Sequence, residues 1–239
     1  MSQGTPRPPS TEETCRATFE GSHEDRRLAD KVDAAHPDFA CEAYAVSPIS
    51  PAPVDDSETV LRVIISPRDI DETTGFVHQA PFYKVYQEGL SVVRSEASRE
   101  QLADIVTDGM FTKAGEEPRA VRGLLSAPVG GEQGIRGLVD ESGYRLFGVY
   151  DQTVPRRNED DAPVPTHAGI FLRLPPAGTA DRKTHQKDYA GLLRDLFVAS
   201  QIDWRSSHDG MFQELNDQSI AGTFVIAPND DSGDAGAEG

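Results

Sequence analysis

The chain has 239 residues, with 23 Lys+Arg against 40 Asp+Glu and a formal charge of −17. That balance excludes a phosphate-backbone binder, which needs clustered Lys and Arg, and an anionic membrane surface; net charge here serves solubility. No window approaches the roughly 20 apolar residues of a membrane span and the first residues, MSQGTPRPPSTEET, hold no secretory signal, so a soluble cytoplasmic protein is expected.

Residues 1–57 read as a flexible N-terminal arm and linker with one short helix. The first 22 are rich in Pro, Ser, Thr and Glu, too poor in apolar area to offset chain entropy, and disorder is expected there. HEDRRLADKVDAA, His23–Ala35, places Leu28 and Val32 four apart and predicts a short helix stopped by Pro37. Phe39–Val46 reads as an edge strand, and SPISPAPVDDS, Ser47–Ser57, as a loosely attached linker. Cys15 and Cys41 are the only cysteines. Two thiols make no disulfide framework, and neither stands at zinc-ligand spacing, so reduced thiols and no metal are expected.

Residues 58–228 read as a single α+β domain. VLRVII, Val60–Ile65, is a strand buried on both faces except at Arg62, ended by Pro67. Gly89–Arg94 is a second strand. Ser98 with Gln101 three residues on forms a capping box for a helix over Arg99–Asp108, with Gly109 as its stop. Ala120–Ala127 is read as a strand. Tyr144–Gln152, with a bulge at Gly148, and His167–Leu174 form an antiparallel hairpin with a long tip. Thr184 caps a helix over Gln186–Ser200, which carries Tyr189, Leu192, Leu193, Leu196 and Phe197 on one face. Met211–Leu215 is a further helical turn and Thr223–Ala227 a last strand. Residues 229–239 are an acidic, glycine-rich tail expected to be disordered. This order lacks βα alternation and predicts a mixed or antiparallel sheet with two main helices on one face.

Several residues are placed to carry chemistry. Asp151 and His167 close the two ends of the predicted hairpin; a carboxylate beside the imidazole would raise its pKa and fix its tautomer for general acid/base work. Ser91 and Arg94 on the second strand, with Arg62 on the first, complete a candidate cleft. Arg62 followed by a Ser-bearing strand resembles the ADP-ribosyltransferase layout, which implies a transfer reaction assisted by a glutamate on a later strand. Asp69-x-Asp71-x-Thr73 after an apolar strand resembles the haloacid-dehalogenase-like phosphotransferases. That likeness implies Asp69 as nucleophile and Asp71 as general acid, with Mg²⁺ between carboxylates, a serine at Ser126 and acids at Asp230 and Asp231. The plain alternative is an Asx turn. As a calcium loop the segment fails, because its twelfth position is Ala80. Gly130–Gly137 is a hinge, with no Lys-Ser/Thr after it to make a phosphate loop.

The order Ala80-Pro-Phe82, Leu90-Ser-Val92, Pro165-Thr-His167-Ala168 is similar to that of small uncharacterised bacterial proteins in which AF, LSV and HA-apolar patterns recur. The resemblance spans about residues 60–174 and implies a common fold and no known activity; it singles out Ser91 and His167. The first functional expectation is therefore a binding or regulatory protein whose partner is a protein or a small molecule, with its cofactor undefined. The second is an enzyme centred on His167, with Asp151, Ser91, Arg62 and Arg94. The third is a Mg²⁺-dependent phosphatase.

Overall fold

The computed structural model describes residues 11–20, 25–110 except 37 and 51, 112–113, 116, 118–153, 162–173 and 182–199. Short pieces at 202–203, 213–214 and 225–226 complete it. It is an α+β domain built on a six-stranded sheet in the order Phe147–Tyr150, His167–Leu172, Leu90–Arg94, Thr59–Ser66, Ala120–Pro128, Ile202–Asp203, with every neighbouring pair antiparallel. The strands are β1 (Thr59–Ser66), β2 (Leu90–Arg94), β4 (Ala120–Pro128), β5 (Phe147–Tyr150), β6 (His167–Leu172) and β7 (Ile202–Asp203). A second, two-stranded parallel sheet joins β3 (Thr112–Lys113) to β8 (Val225–Ile226). The segments around residues 60, 90, 147 and 170 are thus neighbours in one sheet.

Side-chain alternation along the strands builds two cores. Leu61, Val63, Ile65, Val93 and Leu124 lie under Leu102, Val106 and Met110 of α3 (Arg99–Met110). On the opposite face, Val60, Ile64, Val92, Leu125 and Ile170 join Phe82 and Val85 of the 3-10 helix Ala80–Tyr86 and Leu193 and Phe197 of α4 (Arg182–Ala199). Burying each such side chain contributes roughly 1.5–3 kcal/mol. The two long helices therefore sandwich the sheet instead of sharing a face.

The expected capping box of α3 is present: Gln101 Oε1 accepts from the Ser98 N–H at 2.9 Å, and Ser98 Oγ from the Gln101 N–H at 3.2 Å. Gly109 does not stop this helix, which runs on to Met110. A Cβ at Gly109 would collide with Ile65, so the glycine lets the helix lie close to β1. Nor is Gly148 a bulge. It pairs in regular register with Phe171, and a Cβ there would meet the Phe39 and Tyr150 rings. The bulge lies instead between Ile64 and Ile65, opposite Gly123 and Val121. Thr184 falls inside α4, two residues past its start.

The N-terminal third departs most from expectation. Residues 11–19 form α1 (Thr11–Phe19), which turns Cys15 and Phe19, four apart, inward. The Phe19 ring packs 5.1 Å from Tyr150 and 5.6 Å from Phe171. Cys15 and Cys41 form a disulfide rather than two thiols; the fold closes a separation of 26 residues that carries no sequence signature. α2 (Leu28–Ala35) matches the expected helix in its C-terminal part. The Phe39–Val46 segment holds a 3-10 turn, Ala40–Ala43, in place of an edge strand, entered through Phe39 at φ 56°. The linker is anchored too: Val46 and Val54 are buried, and the Ala52 carbonyl accepts from Arg94 at 2.8 Å. The expectations for Met211–Leu215, Thr223–Ala227 and the acidic tail lie wholly or largely outside the described residues. Among the described residues no helix is long and apolar enough to cross a membrane.

A candidate serine–histidine site

The site arises from the β2–β6 register. Val93 pairs with His167 and Ser91 with Gly169, so Ser91 and His167 are diagonal neighbours on one face. They lie on the face covered by α3 over β1 and β4, and toward α1 over β5 and β6. Gly169 has no side chain to fill the space opposite Ser91; a Cβ there would run into the Gln152 amide oxygen and the Phe171 ring.

Ser91 Oγ lies 2.6 Å from His167 Nε2, and His167 Nδ1 lies 2.5 Å from the carbonyl oxygen of Gln152. A carbonyl can only accept, so Nδ1 carries the ring proton. Nε2 is then a lone pair, and the Ser91 hydroxyl donates to it. The imidazole is 5% exposed. Burial drives its pKa down to about 4; the Gln152 carbonyl pulls the other way and the Arg62 charge adds to the lowering. The ring is therefore neutral at pH 7, with its acceptor nitrogen on a half-buried hydroxyl. A hydroxyl donating to a neutral imidazole whose far nitrogen is fixed by a third group is the arrangement of an activated nucleophile.

The other expected members are placed differently. Asp151 does not touch the imidazole; its Oδ1 accepts from the Val46 N–H at 2.8 Å, and the backbone carbonyl of the next residue is the group that holds His167. Burial pushes the Asp151 pKa up, against opposing hydrogen bonds that include the one from Val46. The expected rise in the His167 pKa is accordingly reversed. Arg94 sits at the far end of β2, forked onto Glu58 at 2.7 and 2.6 Å.

Arg62, expected to be the exposed position of β1, is 8% exposed. β1 and β2 pair only at Val60↔Arg94 and Leu61↔Val93. Beyond that point Arg62 donates from Nη1 to the Ser91 carbonyl at 2.9 Å, and its Nη2 lies 3.8 Å from Asp69. An arginine so enclosed does not present its guanidinium to a nucleotide, and the ADP-ribosyltransferase likeness loses its first element.

Asp69 is 1% exposed. Its carboxylate accepts from Ile65 N–H at 3.0 Å and twice from Arg68 at 2.8 Å. Burial would raise its pKa, but the Arg68 hydrogen bonds and the Arg62 charge outweigh that and lower it. Both oxygens being held by cations and an N–H, Asp69 is a structural anchor and not a free nucleophile. Asp71 closes an Asx turn on the N–H groups of Thr73 and Thr74, at 2.8 and 3.2 Å. Asp230 and Asp231 lie outside the described residues.

One group among the described residues has the composition of a metal site: Cys15, His36 and Cys41, all buried, with ligand atoms within 4.8 Å of one another. Its members are spread over 26 residues, so no local motif announces it. The Gln152 carbonyl was equally illegible, because a backbone acceptor leaves no mark on residue type.

The chain matches no protein-family description, no curated protein and no solved structure. The likeness to small bacterial proteins rests on its three short patterns alone.

Proposed function

We propose that this protein is an acyl-transferring enzyme, a hydrolase of activated esters or thioesters, in which Ser91 is the nucleophile and His167 the general base. The observation that carries the reading is the continuous hydrogen-bond chain from Ser91 Oγ through the ring to the Gln152 carbonyl. Ser91 Oγ attacks the acyl carbon and passes its proton to His167 Nε2; Nδ1–H stays on Gln152. The imidazolium returns that proton to the leaving group, and water repeats the cycle on the acyl-serine. The ring has a neutral carbonyl where many such sites have a carboxylate, and Arg62 lies near it. An imidazolium is therefore poorly stabilised and the base is weak. That favours substrates whose leaving group departs with little assistance, such as a thiolate or an activated alkoxide.

The test is labelling of the full chain with a fluorophosphonate, followed by mass spectrometry of the modified peptide. Expected are phosphonylation at Ser91, none in Ser91→Ala, and a rate at least 100-fold lower in His167→Gln, the usual worth of a positioned base being roughly 10²–10⁴-fold. An unmodified Ser91 in the folded protein, or an undiminished rate in His167→Gln, overturns the reading.

The second reading, a binding or regulatory protein, draws on exposed apolar side chains, among them Val139, which bridges to Arg145, and Tyr144 beside it. Inertness of Ser91 would favour it. For the expected cytoplasmic address, the Cys15–Cys41 disulfide is an opposing sign, since such bonds persist mainly in oxidising compartments.

A further inference from the structure

Cys15, His36 and Cys41 come from α1, the residue capping α2, and the 3-10 turn Ala40–Ala43. The two sulfurs are bonded, and His36 Nδ1 lies 3.9 Å from Cys15 Sγ. Thr18 defines the tautomer of this ring. Its hydroxyl donates to the Thr14 carbonyl at 2.9 Å, so toward His36 Nε2, 3.3 Å away, it offers only lone pairs. Nε2 therefore carries the proton, and the Nδ1 lone pair faces the sulfurs. A disulfide has no use for a lone pair at its flank. A soft divalent cation does: zinc ligation takes thiolates and neutral imidazole, with the distal N–H of the ring held by an oxygen.

We propose that the reduced chain binds one Zn²⁺ through Cys15 Sγ, Cys41 Sγ and His36 Nδ1, with a water in the fourth position. A dithiol reductant supplies two electrons and two protons and becomes a disulfide, and the Cys15–Cys41 bond opens to two thiols. Zn²⁺ then takes both sulfurs as thiolates, and the two thiol protons leave to solvent. Zn–S bonds of about 2.3 Å in a tetrahedron put the sulfurs about 3.8 Å apart. Rotation of the two side chains on Cα atoms 5.4 Å apart reaches that separation. α1, which carries Phe19 onto Tyr150 and Phe171, is then cross-linked to the 40–43 turn in either redox state: by sulfur–sulfur bonding when oxidised, by metal when reduced.

The test uses the full chain reduced with a phosphine, which does not compete for metal, and titrated with Co²⁺ and then Zn²⁺. One equivalent of Co²⁺ is expected to bind with thiolate-to-cobalt absorption in the near ultraviolet, to be displaced by Zn²⁺, and to be absent from the oxidised chain. His36→Gln retains both cysteines, so its fold is checked in the oxidised form before reduction; its affinity is expected to fall at least tenfold. Thr18→Val is expected to weaken binding about tenfold through the ring it orients, and Thr18→Ser to restore it. No cobalt bound by the reduced chain, binding that survives oxidation, or unchanged affinity in His36→Gln each overturns the proposal.

Discussion

Ser91 stands between two buried polar groups that reach it from opposite sides. Arg62, inserted where β1 parts from β2, holds its carbonyl; His167, across the β2–β6 pairing, holds its hydroxyl. The first group is ionic. Arg62 is matched by Asp69, which is matched again by Arg68 and the Ile65 N–H, leaving the carboxylate no vacancy. The second is neutral, and its last member is a half-buried hydroxyl. Burial and charge alone would have ranked the ionic wedge as the active centre. What separates the two is that the Asp69 oxygens are all held by cations and an N–H, whereas the hydroxyl of the half-buried Ser91 is held by a single imidazole.

If the wedge is structural, Asp69→Ala strands the Arg62 guanidinium without its counter-charge and should cost about 3–5 kcal/mol in urea unfolding. Replacing both partners, as Arg62→Met with Asp69→Leu, should recover most of that loss, because two buried charges disappear together. The wedge would need a different account if Asp69→Ala unfolded like the parent protein.

The difference in legibility between the two groups has a physical origin. The strands around 60, 90, 147 and 170 were readable because β-branched and alternating runs report burial directly, and the Ser98–Gln101 capping box because both partners are local. Ser91 and His167 were picked out as residues, and the predicted hairpin was enough to bring His167 near its neighbours. The third member was misassigned by one position: just past the end of β5 the Asp151 carboxylate accepts from the Val46 N–H, and it is the Gln152 carbonyl that faces the ring. Arg62 read as an exposed interruption because nothing local says that β1 and β2 separate after two pairs. The role of α1 was hidden for a like reason. Cys15 and Phe19 are two apolar points in a polar stretch, and their partners Cys41, Tyr150 and Phe171 are remote in sequence.

The His167 pKa is held near 4 in the folded chain, below the ordinary value of 6.5. Above pH 6.5 the ring is neutral in both folded and unfolded chains, and its contribution to stability is complete. As pH falls from 6.5 toward 4 the unfolded chain binds a proton that the folded one refuses, and stability drops by about 3 kcal/mol. His167→Gln should flatten that part of the stability–pH curve, read from urea midpoints between pH 4 and 7. A curve of the same slope in wild type and variant would show that the imidazole is not held neutral by its surroundings.

Asp151 provides the smallest and most discriminating test, because it adjoins the site without belonging to it. Its carboxyl is 1% exposed, and burial raises its pKa above the unfolded value against hydrogen bonds from Ser50, Val46 and Ser47. The sign is opposite to that of His167. Below the unfolded pKa, about 3.9, the group is protonated in both states; as pH rises above it the unfolded chain gives up its proton first, and the loss of stability is complete once pH has passed the folded pKa. Asp151→Asn keeps an oxygen for the Val46 N–H and removes the charge. It should therefore stabilise the protein at pH 7 by roughly 0.5–2 kcal/mol, the usual range of a favourable single change, with the gain disappearing on acidification below about pH 4. Labelling of Ser91 should be unaltered. A loss of Ser91 reactivity in Asp151→Asn, with the fold intact, would return the carboxylate to the catalytic chain and displace the Gln152 carbonyl from its assigned part.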